Sequence, residues 1–133
     1  MNNISQTSMQ TIPMSNYIEY IETKIRTKNS EQINKKDSIE VGDIIRMGYL
    51  IPEGDKERTQ YYEGLIISIS NRGLGRTFTL RRNVQNIGVE QIFLFHSPKI
   101  ISITKKQSSK VRRAKLYFMR GLKGKATRLK VKL

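Results

Sequence analysis

Tyr61-Tyr-Glu-Gly-Leu-Ile-Ile-Ser-Ile-Ser70, Asn71-Arg-Gly-Leu-Gly75 and Arg76-Thr-Phe-Thr-Leu-Arg-Arg82 follow one another directly. After a short polar break comes Ile87-Gly-Val-Glu-Gln-Ile-Phe-Leu-Phe-His-Ser-Pro98. Leu65, Ile67 and Ile69 alternate with Ile66, Ser68 and Ser70, the period-two pattern of a half-buried strand. Phe78 and Leu80 alternate with Thr77, Thr79 and Arg81 in the same way. Between these runs Gly73 and Gly75 are free to take the positive φ of a tight turn. The stretch reads as a β-meander whose turn is framed by Arg72 and Arg76.

Upstream, Val41-Gly-Asp43 opens a first strand over Ile44–Ile51, with Ile45, Met47, Tyr49 and Ile51 on one face. Pro52-Glu-Gly-Asp-Lys56 is a loop with turn chemistry at each position. Arg58–Ser70, Arg76–Arg82, Val89–Phe95 and Lys99–Thr104 supply four more strands, and Ser97-Pro98 separates the last two. Five short strands at this spacing favour a small closed barrel over an open sheet with flat edges. The fold class is mainly β. Residues 1–40 read as an N-terminal extension, 41–104 as the barrel and 105–133 as a basic extension.

Within the N-terminal extension, residues 1–15 are polar and aperiodic, the composition of a disordered segment. Tyr17, Ile18, Ile21 and Ile25 then follow helical spacing over about 16–28. Ser15 or Asn16 is the candidate N-cap, and Glu19 and Glu22 sit early, where the helix dipole favours acids. This helix is expected to pack on its own barrel, with docking on a partner as the alternative. Asn29–Glu40 reads as a polar linker containing Lys35, Lys36 and Asp37.

Charge separates the two ends of the chain. Its 133 residues carry 25 Lys and Arg against 11 Asp and Glu, a net charge of +14. Residues 99–133 hold 13 of those bases and none of the acids, so the first 98 are nearly neutral. Folding does not require such asymmetry, whereas a polyanionic partner does. Nucleic acid ranks first, an anionic membrane surface second, and no membrane contact is expected. No apolar run approaches the ~20 residues of a membrane span. Cysteine is absent and His96 is the only histidine, which excludes disulfides, thiol chemistry and a structural zinc site.

Val111–Arg120 is expected to be a helix with Val111, Ala114, Tyr117 and Phe118 on one side and Arg112, Arg113, Lys115 and Arg120 on the other. Leu116 and Met119 fall inside the basic arc, and Gly121 ends the helix. Residues 122–133 look too charged to fold without a partner. The candidate RNA-binding cations are Lys99, Lys105, Lys106, Lys110, Arg112, Arg113, Lys115, Arg120, Lys123, Lys125, Arg128 and Lys130. They would neutralise phosphates with little regard to sequence. Gly121 and Gly124 would allow close approach of a phosphate, and Tyr117 or Phe118 would stack on a base.

Other features carry no chemistry of their own. Asn71-Arg-Gly-Leu-Gly-Arg76 lacks the third glycine of the dinucleotide fingerprint and the Lys-Ser/Thr of a P-loop. It reads as a hairpin turn whose Arg72 and Arg76 can touch backbone phosphate. His96 has no group to orient it and no nucleophile to serve, so a structural role is expected. The acids Asp43, Glu53, Asp55, Glu57, Glu63 and Glu90 are scattered. No catalytic constellation, metal site or cofactor is implied.

Tyr62-Glu-Gly-Leu-Ile-Ile67, Asn71-Arg-Gly-Leu74, Phe78-Thr-Leu-Arg-Arg82, Gly88-Val-Glu-Gln-Ile-Phe93 and His96-Ser-Pro98 occur in order. Ser109-Lys-Val-Arg-Arg-Ala-Lys-Leu-Tyr-Phe-Met-Arg120 and Gly124-Lys-Ala-Thr-Arg-Leu-Lys130 follow. This succession, over Val41 to Leu133, resembles the bacterial-type large-subunit ribosomal protein nineteen of bacteria and organelles. The resemblance implies an SH3-like barrel with a basic C-terminal extension. It also implies binding to large-subunit rRNA near the subunit interface, a bridge to small-subunit rRNA, and contacts with neighbouring ribosomal proteins. The matching rRNA-binding positions would be Arg72, Arg81 and Arg82 on the barrel. In the extension they would be Lys110, Arg112, Arg113, Lys115, Arg120, Lys125 and Arg128, while Arg76 falls in a turn that varies within the family.

Met119-Arg-Gly-Leu-Lys-Gly-Lys-Ala-Thr-Arg-Leu-Lys130 and the Ile/Asn/Lys-rich composition look more plastid than bacterial. With no basic, acid-poor leader at the N-terminus, the chain fits an organelle-encoded protein or a nuclear-encoded one already trimmed, and the plastid stroma is expected ahead of a bacterial cytoplasm. A free RNA-binding regulator or chaperone using the same surface is the alternative function. An enzyme such as a nuclease is a third, which the residues do not support.

Overall fold

The computed structural model describes the backbone of residues 16–33 and 38–133, and the side chains of 16–25 and 38–133. The expectations for residues 1–15, and for Lys35, Lys36 and Asp37, lie outside the described residues. Helix α1 spans Tyr17–Ile33 and is followed by strands β1 (Ile44–Glu53), β2 (Lys56–Ser70), β3 (Thr77–Val84), β4 (Ile87–Leu94) and β5 (Ile100–Gln107). The helix thus continues through Asn29–Ile33, where a linker was expected. No Gly or Pro in that segment stops it.

All five strands form one antiparallel sheet in the order β4-β3-β2-β1-β5. Gly54-Asp55 joins β1 to β2, and Gln85-Asn86, both at positive φ, joins β3 to β4. Positive φ at both central residues gives that second turn the twist that a two-residue hairpin needs. The β2–β3 connection is looser than the expected tight turn. It contains a 3-10 turn over Gly73–Gly75, in which Gly73 takes φ +58° and Gly75 does not take positive φ.

The sheet curls but is not closed, which corrects the expectation of a closed barrel. Its edge strands β4 and β5 are each tied to one neighbour only. Beyond β4, the Phe95 N–H donates to the Arg76 carbonyl at 2.8 Å and so extends the pairing with β3. β5 begins on Tyr49 of β1. Aromatic rings fill the space between: Phe93 lies 5.5 Å from Tyr49, 5.5 Å from Tyr62 and 5.7 Å from Phe78. Residues of all five strands meet there in one buried core, including Ile45, Met47, Ile66, Phe78, Leu80, Phe93, Ile100 and Ile103.

A β-bulge in β2 organises the opposite face. Ile66 pairs with Leu80 and Ser68 with Thr79, so Ile67 is the extra residue. The inserted residue shifts the side-chain alternation by one, so Ile66 and Ile69 both face the main core. Ile67 points the other way, into a second buried cluster with Leu116 and Met119. Val41, Leu65, Val111, Leu122 and Leu129 pack around those three. The simple alternation of Leu65, Ile67 and Ile69 read from sequence breaks at this bulge.

The basic extension differs from both expectations made for it. No α-helix forms over Val111–Arg120; residues 112–114 bend, and 3-10 turns follow at Tyr117–Gly121 and Gly124–Thr127. The Met119 N–H bonds the Leu116 carbonyl, and the Leu122 N–H bonds the Met119 carbonyl. Three residues per turn place Leu116, Met119 and Leu122 in one row, and that row faces Ile67. Tyr117 and Phe118, expected on the side away from the cations, are 44% and 42% exposed. Nor does the tail wait for a partner to fold. Ser109 pairs with Val131, the Lys110 N–H donates to the Lys130 carbonyl at 2.8 Å, and the Lys132 N–H to the Ser108 carbonyl at 2.8 Å.

Among the described side chains, helix α1 does not lay its apolar side on the sheet as expected. Tyr17, Ile18, Ile21 and Ile25 are all exposed. Glu22 of the helix stands against the β2–β3 connection, its Oε2 2.6 Å from where a Cβ on Gly73 would sit.

Candidate nucleic-acid interface

The basic extension is seated by two devices, one apolar and one ionic. The bulge leaves the Ile67 carbonyl to accept a 2.8 Å hydrogen bond from the Leu116 N–H, fixing the tail's midpoint on β2. At its start the tail passes over Gly42, which takes φ +95°. A Cβ on Gly42 would lie 2.6 Å from Val111 Cγ1, so only glycine fits both the conformation and the contact.

Asp43, next to Gly42, is fully buried. Its Oδ1 accepts from Ser108 Oγ at 2.7 Å, and its Oδ2 accepts from the Glu40 N–H and from Lys105 Nζ, each at 2.8 Å. Burial pushes its pKa up, but the hydrogen bonds from Lys105, Ser108 and Glu40 outweigh that push and hold the carboxyl below its ordinary value. The acid read from sequence as one of a scattered set is therefore the clamp between the first strand and the root of the tail.

Glu90 on β4 is a second clamp. Arg120 donates to it through Nε and Nη2, both at 2.8 Å, and Arg81 adds Nη1 at 2.9 Å. Paired N–H donors from one guanidinium set both distance and plane. The hydrogen bond from Arg120, then its positive charge and the bond from Arg81, hold the Glu90 carboxyl below its usual range against partial burial.

These ion pairs divide the expected RNA-contacting cations. Lys105 is held by Asp43, Lys106 by Glu63 at 3.0 Å, and Arg81 and Arg120 by Glu90; Lys132, outside that set, lies 3.6 Å from Glu40. Lys99, Lys110, Arg112, Arg113, Lys115, Lys123, Lys125, Arg128 and Lys130 are exposed, with no carboxylate in ion-pair range among the described residues. Along the ridge, Arg120 lies over the Tyr117 ring at 4.4 Å, Lys115 over the same ring at 5.8 Å and Arg113 over Phe118 at 5.5 Å. Gly121 and Gly124 have open space where a Cβ would stand.

Two clefts flank the tail. The first, about 710 Å³, brings Arg81 and Arg82 of β3 beside Arg120, Lys123 and Arg128 of the tail. Arg82 stacks on Tyr62 at 4.7 Å. The second, about 720 Å³, lies between residues 110–118 and 126–130. The structure does not bring Arg72, Arg76 or Lys99 into either cleft. Arg72 is exposed on the β2–β3 connection, Arg76 lies over Phe95 at 4.5 Å, and Lys99 sits exposed between β4 and β5. His96 stands edge-on to Phe95 at 5.1 Å. Among the described residues no acid or histidine group is arranged to hold a metal ion, and no helix is long and apolar enough to cross a membrane.

The model of the family described as Ribosomal protein L19 matches residues 18–132. The large ribosomal subunit protein bL19c of Phaeodactylum tricornutum is 56% identical over 98 residues, covering 72% of this chain and 82% of that protein. The large ribosomal subunit protein bL19 of a Cyanothece species is 50% identical over 107 residues, 80% of this chain and 89% of the relative. The bL19 protein of Prochlorococcus marinus is 44% identical over 128 residues, 96% and 95% of the two chains.

Proposed function

This chain belongs to the ribosomal protein L19 family, and from that premise we propose that it is a structural part of the large ribosomal subunit that binds rRNA through its basic extension. The family is one of structural ribosomal proteins, not enzymes. The observation that carries the rRNA reading is the ridge from Lys110 to Lys130, where every exposed cation except Arg120, which pairs with Glu90, has no carboxylate in ion-pair range among the described residues and two aromatic rings face outward. Its row of inward residues, Leu116, Met119 and Leu122, fixes which side chains point out. The tail therefore offers phosphate ligands at set spacing without first paying the entropy of ordering.

Residues 41–104, whose last strand runs on to Gln107, are in this reading the family's SH3-like barrel in a form with unpaired edges. Residues 105–133 are its rRNA-binding extension, and 1–40 an N-terminal extension whose exposed α1 face is offered to neighbouring ribosomal proteins. Arg72, Arg76 and Lys99, away from the tail, are the cations for a separate contact, and the bridge to small-subunit rRNA is assigned to the protein's outward surface in the subunit. The proposed location is a plastid ribosome, supported by the diatom relatives and the Met119–Lys130 motif. Cyanobacterial relatives match nearly as well, and fractionation of the source cell separates the two locations.

Chemical probing of rRNA in large subunits assembled with and without this chain tests the reading. Protection of a discrete set of large-subunit nucleotides is expected, with further small-subunit protection on joining. Identical patterns with and without the chain would overturn rRNA binding.

A further inference from the structure

The second cleft has a shape and lining that phosphate binding alone does not explain. Its floor is apolar, formed by Val111, Leu116 and Leu129. One wall is the Phe118 ring with the Arg113 guanidinium 5.5 Å from its centroid. Arg128 and Lys130 stand at the rim with no carboxylate in ion-pair range among the described residues. The two sides are tied before any ligand arrives, by the Lys110 N–H to Lys130 carbonyl bond and by the seat of Leu116 on Ile67.

An unbroken RNA helix presents phosphates and ribose edges while its bases stay stacked inside. Such a helix would engage the cationic rim and leave the apolar floor and the Phe118 face uncovered. A nucleotide extruded from a bulge or loop satisfies both parts. Its planar base fits between the apolar floor and the ring, and its flanking phosphates reach the guanidinium and ammonium groups at the rim. The volume of about 720 Å³ accommodates one nucleotide with solvent.

We propose that the cleft between residues 110–118 and 126–130 receives a single unpaired nucleotide of RNA, its base against Phe118 and its phosphates on Arg128 and Lys130. This rests on the RNA-binding reading and adds to it the kind of RNA feature that the tail selects. Sequence preference is then weak, because every base has a face to stack. Preference for an interruption in pairing is strong.

The test compares two RNA hairpins of equal length, one fully paired and one with a single-nucleotide bulge, competing for the full chain at fixed salt. The bulged hairpin is expected to bind about tenfold tighter, the size of one base–aromatic stack. Phe118→Ala removes the stacking wall, and Ala126→Leu fills the cleft without changing charge. Both should abolish the preference, and Ala126→Leu should do so while leaving affinity for the paired hairpin unchanged. Equal wild-type affinity for the two hairpins, or a bulge preference that survives both substitutions, would overturn this inference and leave general RNA binding standing. Failure to bind either hairpin would instead contradict the RNA-binding reading.

Discussion

Asp43 shows how much one side chain holds in place here. It joins the start of β1, the end of β5 and the turn at Glu40 through three short hydrogen bonds. Removing one partner of a buried ionic network leaves the others unsatisfied. Asp43→Asn should therefore cost about 2–4 kcal/mol at neutral pH, read by denaturant unfolding. The sign of the pH dependence follows from the lowered folded-state pKa. The stability contributed by Asp43 is complete above its unfolded value, ~3.9, and is lost as pH falls through the lower folded value. Wild-type stability should drop below about pH 4 in proportion, and the Asp43→Asn curve should show a smaller acid loss. Equal acid loss in both would remove Asp43 from this role. At Gly42, alanine meets both a disfavoured φ and the Val111 methyl, so Gly42→Ala should destabilise by about 1–3 kcal/mol.

At the scale of the elements, the bulge at Ile67 and the row Leu116, Met119, Leu122 decide where the cations stand. Met119→Ala empties a buried site and should cost about 2–5 kcal/mol locally, because the second cluster is separate from the main core. Amide exchange should rise across residues 109–132 and stay slow in β1–β3; uniform loss of protection would show that the two clusters fold as one. The meander was legible from sequence because Phe78 and Leu80 alternate with Thr77, Thr79 and Arg81 at the strand period. The bulge was not, since Leu65, Ile66 and Ile67 are apolar on both faces, and such a run hides a change of face. The tail misled for a related reason. Drawn at 100° per residue, Leu116 and Met119 fell among the cations; at three residues per turn they line up with Leu122.

For the whole molecule the dominant fact is the separation of charge, and that much was plain from composition. Which cations remain available was not, because Asp43, Glu63 and Glu90 lie far along the chain from Lys105, Lys106 and Arg120. Salt dependence can distinguish the two groups. Lys123→Gln or Lys125→Gln should each lower the log–log salt slope of RNA binding by ~0.7–0.9, whereas Lys106→Gln, already paired with Glu63, should change it less. Deleting Gly121–Leu133 removes Leu122 and Leu129 from the second cluster but touches nothing in the main core. The sheet should stay folded, by circular dichroism and thermal melting, while stable incorporation into large subunits is abolished. Normal incorporation of that truncation would place the binding determinant elsewhere.

The most direct test is sucrose-gradient sedimentation of a native lysate, following this chain at moderate and then at high salt. A tail seated in folded rRNA predicts stoichiometric cosedimentation with large subunits under both conditions. A chain that stays near the top of the gradient, or leaves the subunits on the high-salt wash, would contradict a structural role in the subunit and point to a free RNA-binding protein.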